Sequence, residues 1–558
     1  MALFWVFALP TLVAGLLAIL SSISLARNYF VARRMGLPIR VIPIDHTNPL
    51  WLAVDRKVLS YVRKLPGFLG DNSFTRYNFR AWEMYDRLRP HREMGDAFVI
   101  VTPARIWFYL ASPEALMDSF RRRLDFPRCV EMTEILNVFG KNLSTVEGQQ
   151  WKTQRKMIAT CFNEQNHEAV WSESLSLARD MLAYWARQPS VATSAEDLRT
   201  LSLHVLSGAG FGKFYKFEGH TERSDTSASA GYKHSLQTIL ENCVLIMALG
   251  PSTLAKIRPW LPSTWKLAHL ADTCASFQRY MTDQYEAEKR ATPAAAKDHP
   301  KTLMSSLVRA AQAESTTTSS PGLTESEIYG NMFMLNFAGH DTTAHTFTFA
   351  LYFLAAHPDV QTWLSAEIQT VLGTSPTSPA YATSFPRLKR CLAIMLETLR
   401  LYTVVPVSKW VGDRTVSLQV NGKTIVLPPK TMFIPAYAAV QTDPRYWGDD
   451  ALEWRPSRWI RPGGQPGEEE MVVVEKGTFL GWSEGARDCP GRKFSQVEFV
   501  AAMAALFGGW AVEPVRREGE GEGEARRRVL QLIENDSAPV LLLQMLHPER
   551  APLVWRRR

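Results

Sequence analysis

Trp482-Ser-Glu-Gly485-Ala-Arg487-Asp-Cys489-Pro-Gly491 runs directly into a stretch, Arg492 to about Phe507, with helical apolar spacing. A cysteine just ahead of a helix faces its free amide groups. There a thiolate is stabilised by those amides and by the positive end of the helix dipole. Gly485 and Gly491 permit the tight backbone that aims amides at sulfur. Arg487, two residues before the cysteine, can pair with a carboxylate at the same place. The other five cysteines, Cys129, Cys161, Cys243, Cys274 and Cys391, are scattered, and no C-x-x-C pair occurs. That leaves zinc ribbons and thioredoxin-type redox sites unsupported, and sparse cysteine in 558 residues fits a reducing compartment.

Three further groups lie upstream. Ala338-Gly339-His340-Asp341-Thr342-Thr343 sits inside a helical run from about Thr324 to Ala356, opened by a Thr324-x-x-Glu327 capping box. Met332, Phe333, Phe337, Phe347 and Phe349 surround this polar patch, and buried polar groups demand partners, which a helix opened at Gly339 would offer. Glu397-Thr-Leu-Arg400 places two charges on one helix face, and Arg455-Pro-Ser-Arg458-Trp459 follows about sixty residues on. Trp151 and Arg155, four apart, share a face and can both donate hydrogen bonds.

Together these segments resemble the cytochrome P450 family, in order and in register. The cysteine segment is similar to the family's F-x-x-G-x-R-x-C-x-G loop, with Trp482 where the pattern has phenylalanine. The resemblance implies haem b with Cys489 as its axial thiolate, Gly491 in the loop, Arg487 on a propionate, and Trp482 shielding the sulfur. It implies Trp151 and Arg155 as further propionate partners, with Lys409 as another. The A-G-x-[DE]-T-T match implies Thr342 hydrogen-bonding dioxygen, Asp341 relaying protons, Gly339 making room for oxygen, and His340 lining the pocket. Glu397, Arg400 and Arg458 are implied to form a buried network bracing the haem pocket.

Outward from these motifs, residues 110–400 read as mostly helical. Strands are expected at Ala97–Thr102, Trp107–Leu110, Ser417–Val420, Thr424–Leu427, Val529–Leu532 and Val540–Leu543, with a hairpin turn at Asn421-Gly422. Ala291–Lys301, Ala313–Gly322 and the Gly-Glu repeat Gly519–Glu524 read as loops. The expected fold class is mostly α with a small β part, which the resemblance implies is the cytochrome P450 fold, preceded by one N-terminal transmembrane helix.

Ala2 to Ala26 carry no charge, and Arg27, Arg33 and Arg34 follow. About 25 helical residues span roughly 37 Å, enough for a bilayer core, and the positive-inside tendency keeps the following body cytosolic. A secretory peptide ending at Ser24-x-Ala26 competes, but its n-region lacks a positive charge and its apolar stretch is too long. The expected organisation is a membrane anchor at 1–26, a basic, proline-containing hinge at 27–50 and a haem-thiolate domain at 51–558.

A net charge of +8 without basic–aromatic interleaving points to a membrane or protein surface and away from nucleic acid. No nicotinamide or flavin fingerprint is present. The resemblance therefore implies an endoplasmic-reticulum monooxygenase served by NADPH-cytochrome P450 reductase and cytochrome b5, docking on a basic face that includes Arg492 and Lys493. Its substrate would be a lipophilic small molecule, a terpenoid or polyketide intermediate of fungal secondary metabolism. Phe126–Phe139, Ile239–Leu249 and Thr403–Val407 are the expected pocket lining. Two alternatives stand beside this: a haem-thiolate isomerase or dehydratase that uses no dioxygen, and a non-catalytic haem-binding membrane protein.

Overall fold

A computed structural model describes residues 2–79, 82–220, 228–290, 302–317, 322–373, 379–405, 408–463 and 469–558. Residues 291–301, read as a loop, lie outside this set. The chain divides into two compact units.

The first unit comprises Met1–Cys129, Arg400–Glu453 and Val474–Asp488. It begins with α1 (Ala2–Arg33), of which Gly15–Arg33 is long and apolar enough to cross a membrane by length and composition. The end of α1 is tied down: Ser24 donates to the Pro103 carbonyl at 2.7 Å and Asn28 to that of Thr102 at 3.0 Å. Ala32 and Met35 join the apolar core, and the chain turns at Gly36 into β1 (Ile39–Val41). The stretch expected as a hinge thus carries the last turns of a helix and one strand.

β1 pairs in parallel with β2 (Ala97–Val101), which pairs antiparallel with β3 (Ile106–Leu110). β4 (Lys409–Trp410) and β7 (Met432–Pro435) complete a five-stranded sheet in the order β1-β2-β3-β7-β4. Every residue of β2 and β3 is buried, so these strands read as continuous apolar runs. β5 (Val416–Val420) and β6 (Lys423–Leu427) form the expected hairpin. Asn421 and Gly422 both have positive φ, 51° and 74°, as a two-residue turn matching strand twist requires.

The second unit comprises Val130–Leu399, Trp454–Val473 and Cys489–Arg558 and is dominated by helices. Those that matter for the site are α2 (Gly148–Cys161), α3 (Glu164–Trp185), α4 (Ser194–Phe211), α5 (Ala228–Glu241) and α6 (Glu325–Ala356). After them come α7 (Lys389–Leu401), α8 (Arg492–Phe507) and α9 (Glu522–Asn535). α6 starts at the expected capping box, with Thr324 and Glu327 satisfying each other's backbone N–H groups. It is apolar on nearly every side because it packs on α4, α8 and α9. α3 lies along α8, and Phe347 of α6 stacks on Phe499 of α8 with ring centroids 4.6 Å apart.

Four local expectations are corrected. Val529–Leu532 is not a strand but the middle of α9, where Ala525, Val529 and Ile533 recur at four-residue spacing and are buried together. A four-residue apolar run does not by itself separate strand from helix. Val540–Leu543 is chiefly a turn: the strands are Ser537–Pro539 and Leu543–Met545 on either side of it. In the Gly519–Glu524 repeat only the first half is loop. Gly521 caps α9, with Glu522 and Glu524 in a first turn that favours negative charge. Likewise residues 313–317 finish the helix Leu303–Thr317 rather than forming a loop, and 318–321 lie outside the described residues.

Candidate active site

Polar residues in the middle of an apolar helix must find acceptors close by. In α6 the first resort is the helix's own carbonyls. Asn336 Nδ2 donates to Met332 O at 2.8 Å, Thr342 Oγ1 to Ala338 O at 2.8 Å, and Thr346 Oγ1 to Thr342 O at 2.9 Å. These bonds satisfy the threonines while the helix runs unbroken through Gly339, so the expected opening there is not needed.

Beyond its first turn α6 is buried except along one stripe. Leu335, Gly339 and Thr342 are partly accessible and Ala338 is exposed. Spacing of three and four residues puts them on a single face. Because the Thr342 hydroxyl gives its proton to Ala338, its oxygen lone pairs remain for donors on that face. A Cβ at Gly339 would come 3.2 Å from a Leu206 methyl, so this glycine also permits the close approach of α4 to α6.

Asp341 points elsewhere. Its Oδ1 receives Arg199 Nε of α4 at 2.9 Å and lies 3.2 Å from His340 Nε2. Burial pushes this carboxyl up, but the facing His340, with Arg199 behind it, holds it well below the usual carboxylate range. His345, one turn on, is pushed down to about 4 by burial against the pull of Asp341, so it is neutral. Sequence reading missed Arg199. It lies 142 positions from its partner in a helix whose spacing marks no charge as special.

Cys489 is the one exposed cysteine of six, and the other five are buried. Burial pushes the Cys161 and Cys274 thiols up to about 12, which keeps them inert. Cys489 stands just before α8, whose first turn holds Arg492 and Lys493 and no acidic residue. A Cβ at Gly491 would meet the sulfur at 3.9 Å and the Phe162 ring at 3.8 Å, so the glycine keeps the thiol clear on that side.

The remaining expected residues fall within one unit or the other. In the second unit Trp151 is buried and Arg155 half-buried on one face of α2. Between them Gln154 accepts from Asn331 at 3.0 Å and donates to Glu327 at 3.2 Å, tying α2 to α6. Buried Glu397 accepts from Arg458 Nε at 2.8 Å, Trp459 Nε1 at 2.9 Å and the Arg455 N–H at 2.9 Å. In the first unit Arg400 donates to the Gln441, Ala451 and Glu453 carbonyls at 2.7, 2.6 and 3.0 Å. There too Trp482 is buried beside Phe479, Arg487 ends a 3-10 turn, and Lys409 Nζ lies 4.3 Å from the Phe120 ring centre. Gly485 has φ 77°, and a Cβ on it would strike the Phe120 carbonyl at 2.7 Å.

The expected pocket lining is more core than pocket. Phe126 packs on Phe433 at 5.0 Å, and Phe139 on Phe277 and Phe333 at 5.4 and 5.3 Å. Ile246 and Val404 are buried, Leu240 borders a cavity beside Asp341, and residues 406–407 lie outside the described set.

With this geometry in hand, comparison with known proteins is decisive. The family model for cytochrome P450 matches residues 91–535. The chain belongs to the cytochrome P450 family. A cytochrome P450 monooxygenase of Arthrobotrys oligospora is 27% identical over 561 residues, 94% of each chain. The phomenoic acid biosynthesis cluster cytochrome P450 monooxygenase of Leptosphaeria maculans is 29% identical over 547 residues, covering 90% of this chain and 91% of that one. A bifunctional cytochrome P450/NADPH–P450 reductase of Acremonium egyptiacum is 23% identical over 71% of this chain and 35% of its own. As a P450 the chain is an oxidoreductase. The residues present suit a haem: an exposed cysteine ahead of a helix with a basic first turn, and an accessible small-residue stripe on an otherwise buried helix of the same unit.

Proposed function

We propose that this P450 inserts one oxygen atom from dioxygen into a lipophilic small molecule, an intermediate of fungal secondary metabolism of terpenoid or polyketide type. The observation that carries the reading is the pairing of one exposed cysteine with the accessible Leu335–Thr342 stripe in one unit. Bound haem would supply oxygen activation, with the thiolate pushing electron density that favours O–O cleavage.

The chain's own residues do the rest. Cys489 would offer the sulfur, just ahead of α8 and its basic first turn, a setting that favours a thiolate. Arg487, Trp151, Arg155 and Lys409 would hold the propionates, and Trp482 would keep water from the sulfur. Thr342 presents oxygen lone pairs to the accessible face, while Asp341 carries protons to it. Glu397, Arg400 and Arg458 brace the fold behind the pocket and take no chemical part. A relative named for a metabolite biosynthesis cluster supports the substrate class, and the relative fused to an NADPH–P450 reductase supports a separate reductase here. The apolar helix α1, with Leu50 and Phe68 exposed in the same unit, supports a membrane setting, the endoplasmic reticulum with the body in the cytosol.

The test is the carbon monoxide difference spectrum of the reduced membrane-bound protein beside Cys489→Ser. A strongly red-shifted Soret band that the substitution abolishes is expected. A band untouched by it would sink the assignment of Cys489 and the reading with it.

A further inference from the structure

The accessible stripe on α6 stops one turn short of a polar residue. Asn331, Leu335, Ala338 and Thr342 share one face of the helix at spacings of four, three and four. Leu335 and Thr342 are partly accessible and Ala338 is exposed, yet Asn331 is fully buried. What covers it is the segment 140–143, which precedes α2. Asn331 Oδ1 accepts the Leu143 N–H at 2.9 Å. Its Nδ2 donates to Gln154 Oε1 of α2 at 3.0 Å and to the Glu327 carbonyl, one turn back, at 2.8 Å. Both amide hydrogens are thereby engaged, and the carbonyl end ties the loop to the helix.

The backbones themselves meet beside this bond. A Cβ on Gly330 would come 2.4 Å from the Gly140 carbonyl oxygen and 2.5 Å from that of Lys141. One on Gly140, whose φ is 147°, would come 1.9 Å from the Ser326 carbonyl oxygen. A side chain at either position would push the loop off the helix. The loop is also braced from within, since each N–H from Asn142 to Val146 has an acceptor. Buried Asn142 accepts from Ser144 at 3.1 Å and donates to the Leu136 carbonyl at 3.0 Å. Phe139, just ahead, packs on Phe333 of α6. A segment so bonded belongs to the stable end of a structure and not to its moving parts.

Resting on the monooxygenase reading, in which the stripe faces substrate, we propose that residues 140–143 are a fixed end wall of the substrate groove, with Asn331 as the positioning residue that bolts it in place. Asn331 and Thr342 lie about 16 Å apart along the helix axis, at 1.5 Å per residue. The wall therefore sets a length limit. A molecule lying along α6 from the Thr342 end meets peptide backbone after that distance. Selection of this kind works by exclusion at a rigid boundary, and it favours compact skeletons over extended chains.

The experiment pairs hydrogen exchange by mass spectrometry with azole titration, both on the full-length protein in lipid nanodiscs. The probes are imidazole and imidazoles carrying phenyl, biphenyl or terphenyl tails, which ligate haem iron and are read by the shift of its Soret band. In the wild type the 142–146 amides should exchange far more slowly than an unstructured chain, and affinity should fall from the biphenyl to the terphenyl tail. Asn331→Ala should speed exchange there by about tenfold or more, the scale of one lost buried hydrogen bond, and leave Thr346–Ala356 unchanged. It should also raise terphenyl affinity relative to imidazole by about tenfold, which a purely structural role would not do. Gly330→Ala, which removes no hydrogen-bonding group but displaces the loop, should act in the same direction. Exchange at unstructured rates in the wild type would overturn the wall even where a variant fails to fold. Unchanged tail selectivity in a variant whose loop has loosened would overturn it too. A slow loop with no azole shift in the wild type would fail the haem reading and leave the bolted loop standing.

Discussion

Two carboxyl groups lie deep in the second unit on neighbouring helices, Asp341 on α6 and Glu498 on α8. Both are removed from water, yet they end in opposite states. Around Asp341 stand Arg199 and His340, and their combined pull outweighs the burial penalty, so the group is ionised. At Glu498 burial outweighs the pull of the Ser202 hydroxyl and pushes the group up to about 8, so at neutral pH it is chiefly the uncharged acid. Burial is shared, so it is the neighbouring charge that decides. An acid meant to move protons needs a partner that keeps its charge available, whereas an acid without one is a stability liability.

Glu397 calibrates the contrast, because it is as buried as either and receives donors from Arg455, Arg458 and Trp459. Glu397→Ala leaves the Arg458 charge without its carboxylate and should cost about 3–5 kcal/mol. Chemical denaturation should show that loss, and retention of wild-type stability would mean that water replaces the carboxylate. Next in size, Asp341→Asn should lower product formation by roughly 100-fold, the scale of losing a positioned proton-transfer group, with the fold intact by circular dichroism. Undiminished turnover would move Asp341 to the structural side of the comparison.

The smallest effect is also the sharpest. Glu498 has a folded value near 8 against about 4.5 unfolded, so the folded state binds more protons between those values. Stability should therefore decline as pH rises from about 5 to 8 and stay low above that. Glu498→Gln should remove the decline and stabilise the protein at pH 9 by roughly 1–3 kcal/mol, with turnover little changed. A variant whose stability kept the wild-type pH dependence would show that Glu498 is ionised after all.

What could be read from the sequence was local. Cys489 and its helix, the Thr324/Glu327 start of α6 and the Asn421-Gly422 turn all rest on short spacings, whereas the Glu397–Arg458 pairing, 61 positions apart, came only through the family resemblance. Arg199 could not be found that way, since its meaning comes from two helices meeting across 142 positions. Gly339 showed a related limit. A glycine in a polar motif reads as space for a ligand, but the nearest claimant to its missing side chain is Leu206. At Val529–Leu532 the signal itself was ambiguous, because four apolar residues suit either periodicity until a partner face is known.

The unbroken passage of α1 into the body has a mechanical consequence. Ser24 and Asn28 are bonded to the carbonyls of residues 102–103, and Ala32 is sunk in the core, so the helix cannot turn about its axis independently of the sheet. Were its apolar end to sit in a bilayer, α1 would act as an axle whose rotational phase is locked to the first unit. Inserting one residue before Ser24 would turn the lipid-facing side by about 100° relative to that unit, and inserting seven would bring it nearly back into phase. Length alone would then be a poor guide to which exchanged anchors work, and the repeat of the helix a good one.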